Sequence, residues 1–309
     1  MRIIKRIIAI AFTATALFGG VKIYQFYTAP TSNNELVPHV ATTENTEKVT
    51  EDVAMTLLDE TTAPESKEEK VITDSYYRIS DYLNINKYTV GVISIQDLVD
   101  EPIVNTPYDQ NAYLNCNIYG EWEKSNNGTL FTAQDSEIGV TNVTTIFGHR
   151  KSSGAMFGQL PKFEDISYLR EHQTFEVTTQ EIGTKTCKIV GVMYASADYA
   201  RNDWYYAQPT LTEEEFNDYR MQVRSRSLYV IEDKFDYESK YVMLSTCSYN
   251  TDNERLVIVA RILDSNETVT GSIESNPIVL RTNEFYDATG CSKPSNEALV
   301  DNYVANYGD

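Results

Sequence analysis

The segment at residues 241–263, YVMLSTCSYNTDNERLVIVARIL, constrains the fold more than any other part of the chain. Two apolar, β-prone runs flank a polar loop at residues 248–254, whose asparagines and aspartate favour a turn. We therefore predict two strands. If they pair as a hairpin, Cys247 at the end of the first and Arg255 at the start of the second lie at the same end of the sheet. A thiol and a guanidinium at one rim are unusual for purely structural residues, so this pair is a candidate for chemistry.

Short strands separated by turns continue through the middle of the chain. The predicted strands are residues 90–95, 103–105, 128–131, 144–147, 174–178, 184–194, 241–244 and 256–262. Many short strands with few helices between them predict a mostly β fold, either an irregular barrel or a sandwich.

One longer helix is predicted among the late strands, near residues 212–224. Thr212 is followed three residues later by Glu215, which is the spacing of a capping box at a helix start. Phe216, Tyr219 and Val223 recur at helical spacing and predict one buried face. We interpret this face as core packing and not as a cofactor site.

The first 28 residues combine basic side chains with an apolar run. Arg2, Lys5 and Arg6 precede residues 7–21, which carry no charge. This run is short for a membrane span of about 20 residues, but Lys22 at its end can extend its charge towards the interface. We predict an uncleaved signal anchor over residues 1–28 that leaves the remaining chain outside a single-pass cell membrane. A cleavable signal peptide is the alternative.

Three further regions follow the predicted anchor. Residues 29–70 are acidic and polar and predict an extracellular stalk, with one short amphipathic helix at 47–58. A second helix at about 70–83 leads into a folded domain at 71–264. Residues 265–309 form a polar C-terminal extension of unknown role, for which packing and partial disorder both stay open.

Charge and cysteine spacing exclude two classes of partner. The formal net charge is −19, which argues against nucleic-acid binding because phosphate backbones require clustered Lys and Arg. None of the four cysteines, Cys116, Cys187, Cys247 and Cys291, has metal-finger spacing, so we predict neither a metal site nor a cofactor. A Cys116–Cys187 disulfide remains open.

A cysteine nucleophile needs a basic or cationic partner, and the chain has three histidines. His39 lies in the stalk, and His172 lies in a charged segment before a strand. His149 follows a predicted strand and one glycine, which is the same kind of strand-end position as Cys247. By elimination, His149 is the candidate partner.

These residue types suit acyl transfer. A thiolate attacks an amide carbonyl to give a thioester, an imidazolium protonates the departing amine, and a cation stabilises the oxyanion. Arg255 is the candidate cation. Arg261 is a competitor, but it lies deep in the apolar strand, and we expect it on an outer face.

Several segments resemble the sortases, the cysteine transpeptidases of Gram-positive cell walls, and in particular class B. Residues 244–247, LSTC, resemble the Leu-x-Thr-Cys signature, and 255–261 resemble the following strand with the family's catalytic arginine. Residues 147–160 resemble the class B pattern around the catalytic histidine. Residues 101–104 and 128–131 follow the class B order, and the resemblance covers about residues 76–264.

The resemblance implies a closed eight-stranded sortase β-barrel and cleavage within a C-terminal sorting signal. An amine of a peptidoglycan precursor or a pilin lysine then resolves the thioester, so the implied partners are surface proteins or pilins and that amine. It also implies substrate contacts at Ser245, Thr246 and Leu114. Val92 departs from the tryptophan common in the class, and Ser248 departs from an acidic residue directly after the cysteine.

Two other functions remain open at this point. A cysteine protease that only hydrolyses would use the same thioester. A non-catalytic surface or pilus-assembly protein on the same barrel would not need the reactivity of Cys247.

Overall fold

The computed structural model describes residues 74–109, 111–122, 128–198, 203–206 and 209–308, which fall within one compact unit spanning Lys67–Asp309. The predicted anchor at residues 1–28, the stalk at 29–70 and the helix at 47–58 lie outside the described residues. Among the described helices, none has both the length and the apolar character that a membrane crossing requires.

Ten strands and five α-helices are formed by the described residues. The strands are β1 (Thr89–Ile95), β2 (Val99–Val104), β3 (Leu130–Thr132), β4 (Val143–Phe147), β5 (Thr174–Thr179), β6 (Gly183–Ser196), β7 (Tyr229–Ile231), β8 (Tyr241–Cys247), β9 (Glu254–Ile262) and β10 (Ile273–Ser275). The helices are α1 (Asp74–Ile85), α2 (Ile166–Glu171), α3 (Glu213–Arg226), α4 (Asn283–Thr289) and α5 (Asn296–Tyr307). Short 3₁₀ turns are formed by Ala112–Leu114, Leu160–Glu164 and Asp203–Tyr206.

Eight of these strands close into a barrel with the order β1-β2-β3-β4-β8-β9-β6-β5. This confirms the predicted mostly β fold and decides for the barrel over the sandwich. Each of the eight predicted strands overlaps one barrel strand, although β2 begins four residues before its predicted start. The two strands predicted for residues 241–263 are the adjacent strands β8 and β9 of this barrel.

Both faces of β8 and β9 are buried, which explains their nearly continuous apolar sequences. Leu244 and Ile258 belong to the cluster that fills the barrel interior. Their neighbours Met243 and Val257 point the other way and pack in a second cluster with Phe216 of α3. The hairpin therefore connects the two main cores.

Helix α3 forms as its sequence predicts. The Thr212 hydroxyl accepts a hydrogen bond from the Glu215 amide at 3.3 Å, and the Glu215 carboxylate accepts one from the Thr212 amide at 2.8 Å. The capping box is confirmed, and Phe216, Tyr219 and Val223 are buried as predicted. The second predicted N-terminal helix corresponds to α1.

The C-terminal extension is packed through residue 308. Strand β10 pairs antiparallel with β7 in a small separate sheet that the sequence did not predict. Asn302 of α5 donates a hydrogen bond to the Asn276 side chain at 2.9 Å. The Arg224 guanidinium of α3 lies 4.1 Å from the centre of the Tyr307 ring. Of the two possibilities left open for this extension, the structure therefore shows packing.

Candidate active site

Cys247 and Arg255 occupy facing positions at one end of the β8–β9 hairpin. The two strands pair antiparallel from Tyr241 opposite Arg261 to Cys247 opposite Arg255. The thiol and the guanidinium side chains are both half-buried. The predicted hairpin is confirmed, and it brings both candidate residues to the same rim of the barrel.

His149 reaches the same rim from the strand on the other side of β8. Strand β4 runs parallel to β8, with Phe147 beside Ser245 as the last pair. The pairing continues past the strand end, because the Gly148 amide donates to the Ser245 carbonyl at 3.1 Å. His149 and Cys247 follow two residues beyond that last pair. The three candidate catalytic residues therefore lie at neighbouring ends of β4, β8 and β9.

Because Gly148 has no side chain, the backbone directly before His149 packs closely against Leu130 and Phe157. A Cβ atom at this position would lie 2.7 Å from a ring carbon of Phe157 and closer still to a methyl group of Leu130. Larger residues would therefore displace the chain directly before His149. The close packing explains the glycine that separates β4 from the histidine.

The His149 ring is oriented by a backbone carbonyl. Its Nε2 atom lies 2.6 Å from the carbonyl oxygen of Leu114. A carbonyl oxygen only accepts hydrogen bonds, so Nε2 carries a proton, and Nδ1 is the nitrogen that gains or loses the second one. Burial lowers the pKa of His149 below its ordinary value, and Lys151 lowers it further, while the Leu114 hydrogen bond partly opposes this. The ring is therefore mostly neutral at neutral pH.

The residues predicted as substrate contacts lie beside Cys247 and His149, where they already have partners. Ser245 and Thr246 are each 2% exposed. The Ser245 hydroxyl lies 2.6 Å from the Tyr205 hydroxyl, and the Thr246 hydroxyl donates to the Gly148 carbonyl at 2.8 Å. Leu114 is half-buried, and its carbonyl accepts from His149. Their assignment as substrate contacts stays a prediction.

The loop between Cys247 and Arg255 is tied to the segment that carries His149. The Tyr249 hydroxyl donates to the Arg150 carbonyl at 2.7 Å, and the Arg150 guanidinium lies 4.7 Å from the centre of the Tyr249 ring. At the other end of this loop, Glu254 is completely buried. Sequence reasoning missed both features, because their partners are distant in the chain.

Arg261 lies at the opposite end of the hairpin, about 20 Å away at 3.3 Å per residue. Strand alternation agrees with the expected outer face, because Val257 and Val259 on the same side of β9 pack in the cluster outside the barrel. This face is covered, however, and Arg261 is 1% exposed. Its Nη2 lies 2.9 Å from Asp233, and its Nη1 donates to Glu267 at 2.9 Å. Burial acts to lower the pKa of Arg261, but these carboxylates outweigh it and raise that pKa. Arg261 is therefore a structural residue, and Arg255 is the arginine at the thiol.

The other histidines and cysteines considered from the sequence are not among the residues that meet at this rim. His172 ends α2, where its Nδ1 atom lies 3.0 Å from the Tyr168 carbonyl and its ring stacks on Tyr168. His39 lies outside the described residues. All four cysteines are free thiols, so the Cys116–Cys187 disulfide is not formed. Across the described ranges, no group of three or more His, Cys, Asp or Glu side chains is arranged to hold a metal ion.

Comparison with known proteins connects this arrangement to a family. The family model described as the Sortase domain matches residues 97–263, which is more than half of the chain. Sortase B of Listeria monocytogenes is 29% identical over 191 residues, a match that covers 60% of this chain and 74% of that protein.

Solved structures agree with this match. The structure of sortase B from Listeria monocytogenes superposes with a TM-score of 0.51 at 27% identity, covering 59% of this chain and 98% of that one. A Bacillus anthracis protein described as similar to sortase B superposes with a TM-score of 0.53 at 25% identity, covering 60% and 82%. The chain therefore belongs to the sortase family and is a class B sortase, a cell-wall transpeptidase.

Proposed function

We propose that Cys247 is the nucleophile of a two-step transpeptidation, with His149 as the acid and base and Arg255 as the oxyanion donor. The observation that carries this proposal is the meeting of the three residues at adjacent strand ends of β4, β8 and β9. The distinct chain segments that supply them are held together by Gly148, Thr246 and Tyr249.

In the first step, Nδ1 of the neutral His149 ring accepts the proton of the Cys247 thiol. The resulting thiolate attacks the scissile carbonyl carbon and forms a carbon–sulfur bond. The carbonyl oxygen becomes an oxyanion, to which Arg255 donates hydrogen bonds. One Arg255 nitrogen, Nη1, donates to the Glu254 carbonyl at 3.2 Å, which leaves other guanidinium N–H groups available. As the carbon–nitrogen bond breaks, the proton on Nδ1 of His149 passes to the departing amine, and a thioester remains.

In the second step, an acceptor amine attacks the thioester carbonyl. His149 takes the proton that the amine loses, and Cys247 leaves as a thiolate. The lowered pKa of His149 suits this second step, because the neutral ring is the form that accepts a proton. The product is a new amide bond between the cleaved protein and the amine.

We infer the partners from the same reaction. The acyl donors are surface proteins or pilins with a C-terminal sorting signal, and the acceptor is an amine of a peptidoglycan precursor or a pilin lysine. We propose that Ser245, Thr246 and Leu114, which lie beside Cys247 and His149, contact the sorting signal. The basic start and apolar run at residues 1–28 support an anchor in the cell membrane, with the stalk and the catalytic domain outside.

A transfer assay tests this proposal. The purified protein is incubated with peptides that carry candidate sorting signals and with several amines, and the products are identified by mass spectrometry. We expect an amide product with at least one amine and no product from the Cys247→Ala variant. Hydrolysis without transfer to any amine would instead support a protease, and turnover by Cys247→Ala would remove the thiol from the mechanism.

A further inference from the structure

Glu254, the residue before Arg255, lies at the base of the loop that joins Cys247 to Arg255 and is completely buried. Its backbone carbonyl accepts two hydrogen bonds, from the Ser248 amide at 2.9 Å and from the Arg255 Nη1 atom at 3.2 Å. Ser248 directly follows Cys247. Glu254 is therefore hydrogen-bonded both to the residue that follows the nucleophile and to the candidate oxyanion donor.

The Glu254 carboxylate is held by residues from two parts of the chain. One oxygen, Oε2, accepts from the Ser248 hydroxyl at 3.2 Å. The other, Oε1, accepts from the Thr282 hydroxyl at 2.7 Å and lies 3.8 Å from the Arg281 guanidinium. A buried carboxylate is unfavourable unless it is hydrogen-bonded and paired with a cation. Here the only cation within ion-pair distance among the described residues, Arg281, comes from the C-terminal extension.

Arg281 and Thr282 are themselves held firmly. The Arg281 guanidinium lies between two rings, 4.2 Å from the centre of Tyr194 and 4.1 Å from that of Phe285. Thr282 is the N-cap of α4, and its hydroxyl accepts from the Phe285 amide at 3.2 Å while it donates to Glu254. One hydroxyl group can both donate and accept, so these two bonds are compatible.

A further contact joins the same part of the extension to the neighbouring strand. Ser196 of β6 is the cross-strand partner of Glu254, and its hydroxyl donates to the Glu284 carboxylate at 2.7 Å. Residues 281–284 therefore touch β6 and β9 directly beneath the end of the barrel that carries Cys247 and Arg255. The Sortase-domain match ends at residue 263, so this segment lies beyond the matched domain.

We propose that the C-terminal extension is a positioning element of the active site and that it acts through Glu254. Arg281 and Thr282 fix the Glu254 carboxylate, Glu254 fixes Ser248 and the Arg255 guanidinium, and the loop between Cys247 and Arg255 keeps one shape. This inference rests on the catalytic roles proposed above for Cys247 and Arg255. It assigns Glu254, Arg281 and Thr282 as positioning residues, and none of them is required to touch the substrate.

The test uses the full chain and the sorting peptide and amine identified in the transfer assay. Thr282→Val removes the hydrogen bond to Glu254 together with the helix cap, whereas Thr282→Ser keeps both. Ser295→Ala is the matched control, because Ser295 caps α5 in the same extension by accepting from the Ala298 amide at 3.1 Å. It removes a comparable cap at a helix that does not contribute to Glu254.

We expect Thr282→Val to lower kcat about tenfold or more, because small displacements of catalytic groups are costly, while KM for the peptide changes less than about twofold. Thr282→Ser should restore kcat, and Ser295→Ala should lower the melting temperature without lowering kcat. A wild-type kcat in Thr282→Val would overturn the inference, as would an equal loss of kcat in Ser295→Ala.

Two further variants keep the result decisive. If Thr282→Val does not fold, Arg281→Gln takes its place, because it leaves the α4 cap intact; a wild-type kcat in that variant overturns the inference. Cys247→Ala is measured in parallel. Turnover by Cys247→Ala contradicts the proposed function itself, whereas an inactive Cys247→Ala beside a fully active Thr282→Val contradicts only the role of the extension.

Discussion

The two ends of the β8–β9 hairpin each carry one arginine, and the two arginines have opposite surroundings. Arg261 is 1% exposed and is bound by the carboxylates of Asp233 and Glu267. Arg255 is half-buried and donates to the Glu254 carbonyl, and in the described part of the chain no carboxylate pairs with it. An arginine that is paired with carboxylates stabilises the fold, whereas an arginine without such a pair can donate hydrogen bonds to a reacting group.

The difference also shows where the protein places its polar groups. At the Arg261 end, the Lys188 ammonium lies 3.7 Å from Asp233 as well, so charges of both signs are packed together. At the Cys247 end, the carboxylate of Glu254 is directed away from Arg255 towards Arg281 and Thr282. A buried acid beside the catalytic rim is thus neutralised by the C-terminal extension and not by the arginine proposed for catalysis.

Replacing Arg255 should produce the largest effect on the reaction. We expect Arg255→Ala to lower kcat/KM by about 10²–10³, the usual consequence of losing one oxyanion donor. The unfolding free energy should change little, because the side chain is half-buried and makes one hydrogen bond to a neighbouring carbonyl. Steady-state kinetics measure the loss of kcat/KM, and urea unfolding of the same preparation measures the change in unfolding free energy. Wild-type activity in Arg255→Ala would show that Arg255 is not the oxyanion donor.

Replacing Arg261 should give the reverse pattern. Arg261→Ala leaves the Asp233 carboxylate, whose side chain is 10% exposed, paired with Lys188 alone. We therefore expect the unfolding free energy to fall by about 3 kcal/mol. The folded fraction should keep a kcat within about threefold of wild type, since the residue lies about 20 Å from the thiol along the strand. A hundredfold loss of kcat in a folded Arg261→Ala protein would contradict the account.

The ion pair at this structural end should also respond to acid. The hydrogen bond from Arg261 lowers the pKa of Glu267 to about 2 from 4.5. A lowered pKa means that the pair stabilises the fold fully above pH 4.5 and loses that contribution as the pH falls towards 2. We expect Glu267→Gln to cost about 1 kcal/mol at neutral pH, allowing for solvent screening, and progressively less in acid.

Urea unfolding at several pH values measures that difference. Glu274→Gln is the control, because its pair with Arg170 at 3.1 Å is exposed on both sides and should contribute less. A difference between wild type and Glu267→Gln that stays constant down to about pH 2.5 would exclude the proposed pairing.

The smallest expected effect concerns Lys151 at the catalytic end. Its charge helps to lower the pKa of His149, so Lys151→Gln should raise that pKa slightly. NMR titration of the His149 ring measures this shift, and the limb of the pH–rate profile set by His149 should move to higher pH with it. Lys185→Gln, which removes a lysine bonded to Ser265, should leave the titration unchanged. A fall in the His149 pKa would contradict the assigned sign.

Local patterns in the sequence predict the barrel and the catalytic rim. The alternation of apolar runs and turn residues locates all eight barrel strands, and the capping box at Thr212 locates α3. His149 could be found by elimination, because two of three histidines lie in segments unsuited to a cleft. These features depend on neighbouring residues, which is why one sequence is sufficient for them.

The parts that the sequence did not predict depend on distant partners. The strands β7 and β10 have three residues each, too few to show a period, and they pair across about forty residues of chain. Glu254 stands at a strand start, where an acidic residue is usually exposed, and its partner Thr282 is 28 residues away. Arg261 is similar, since Asp233 also lies 28 residues away. The burial of such charges becomes visible only in the folded structure.

Detection of the acyl-enzyme tests the central claim most directly, because every role proposed at this rim depends on a thioester at Cys247. The protein is mixed with a sorting peptide in the absence of amine, quenched in acid, and analysed by intact-mass and peptide mass spectrometry. We expect a mass increase equal to the N-terminal fragment of the peptide less one water, located on the Cys247 peptide and removed by hydroxylamine. Release of the C-terminal fragment by Cys247→Ala, or an adduct on another residue, would contradict it.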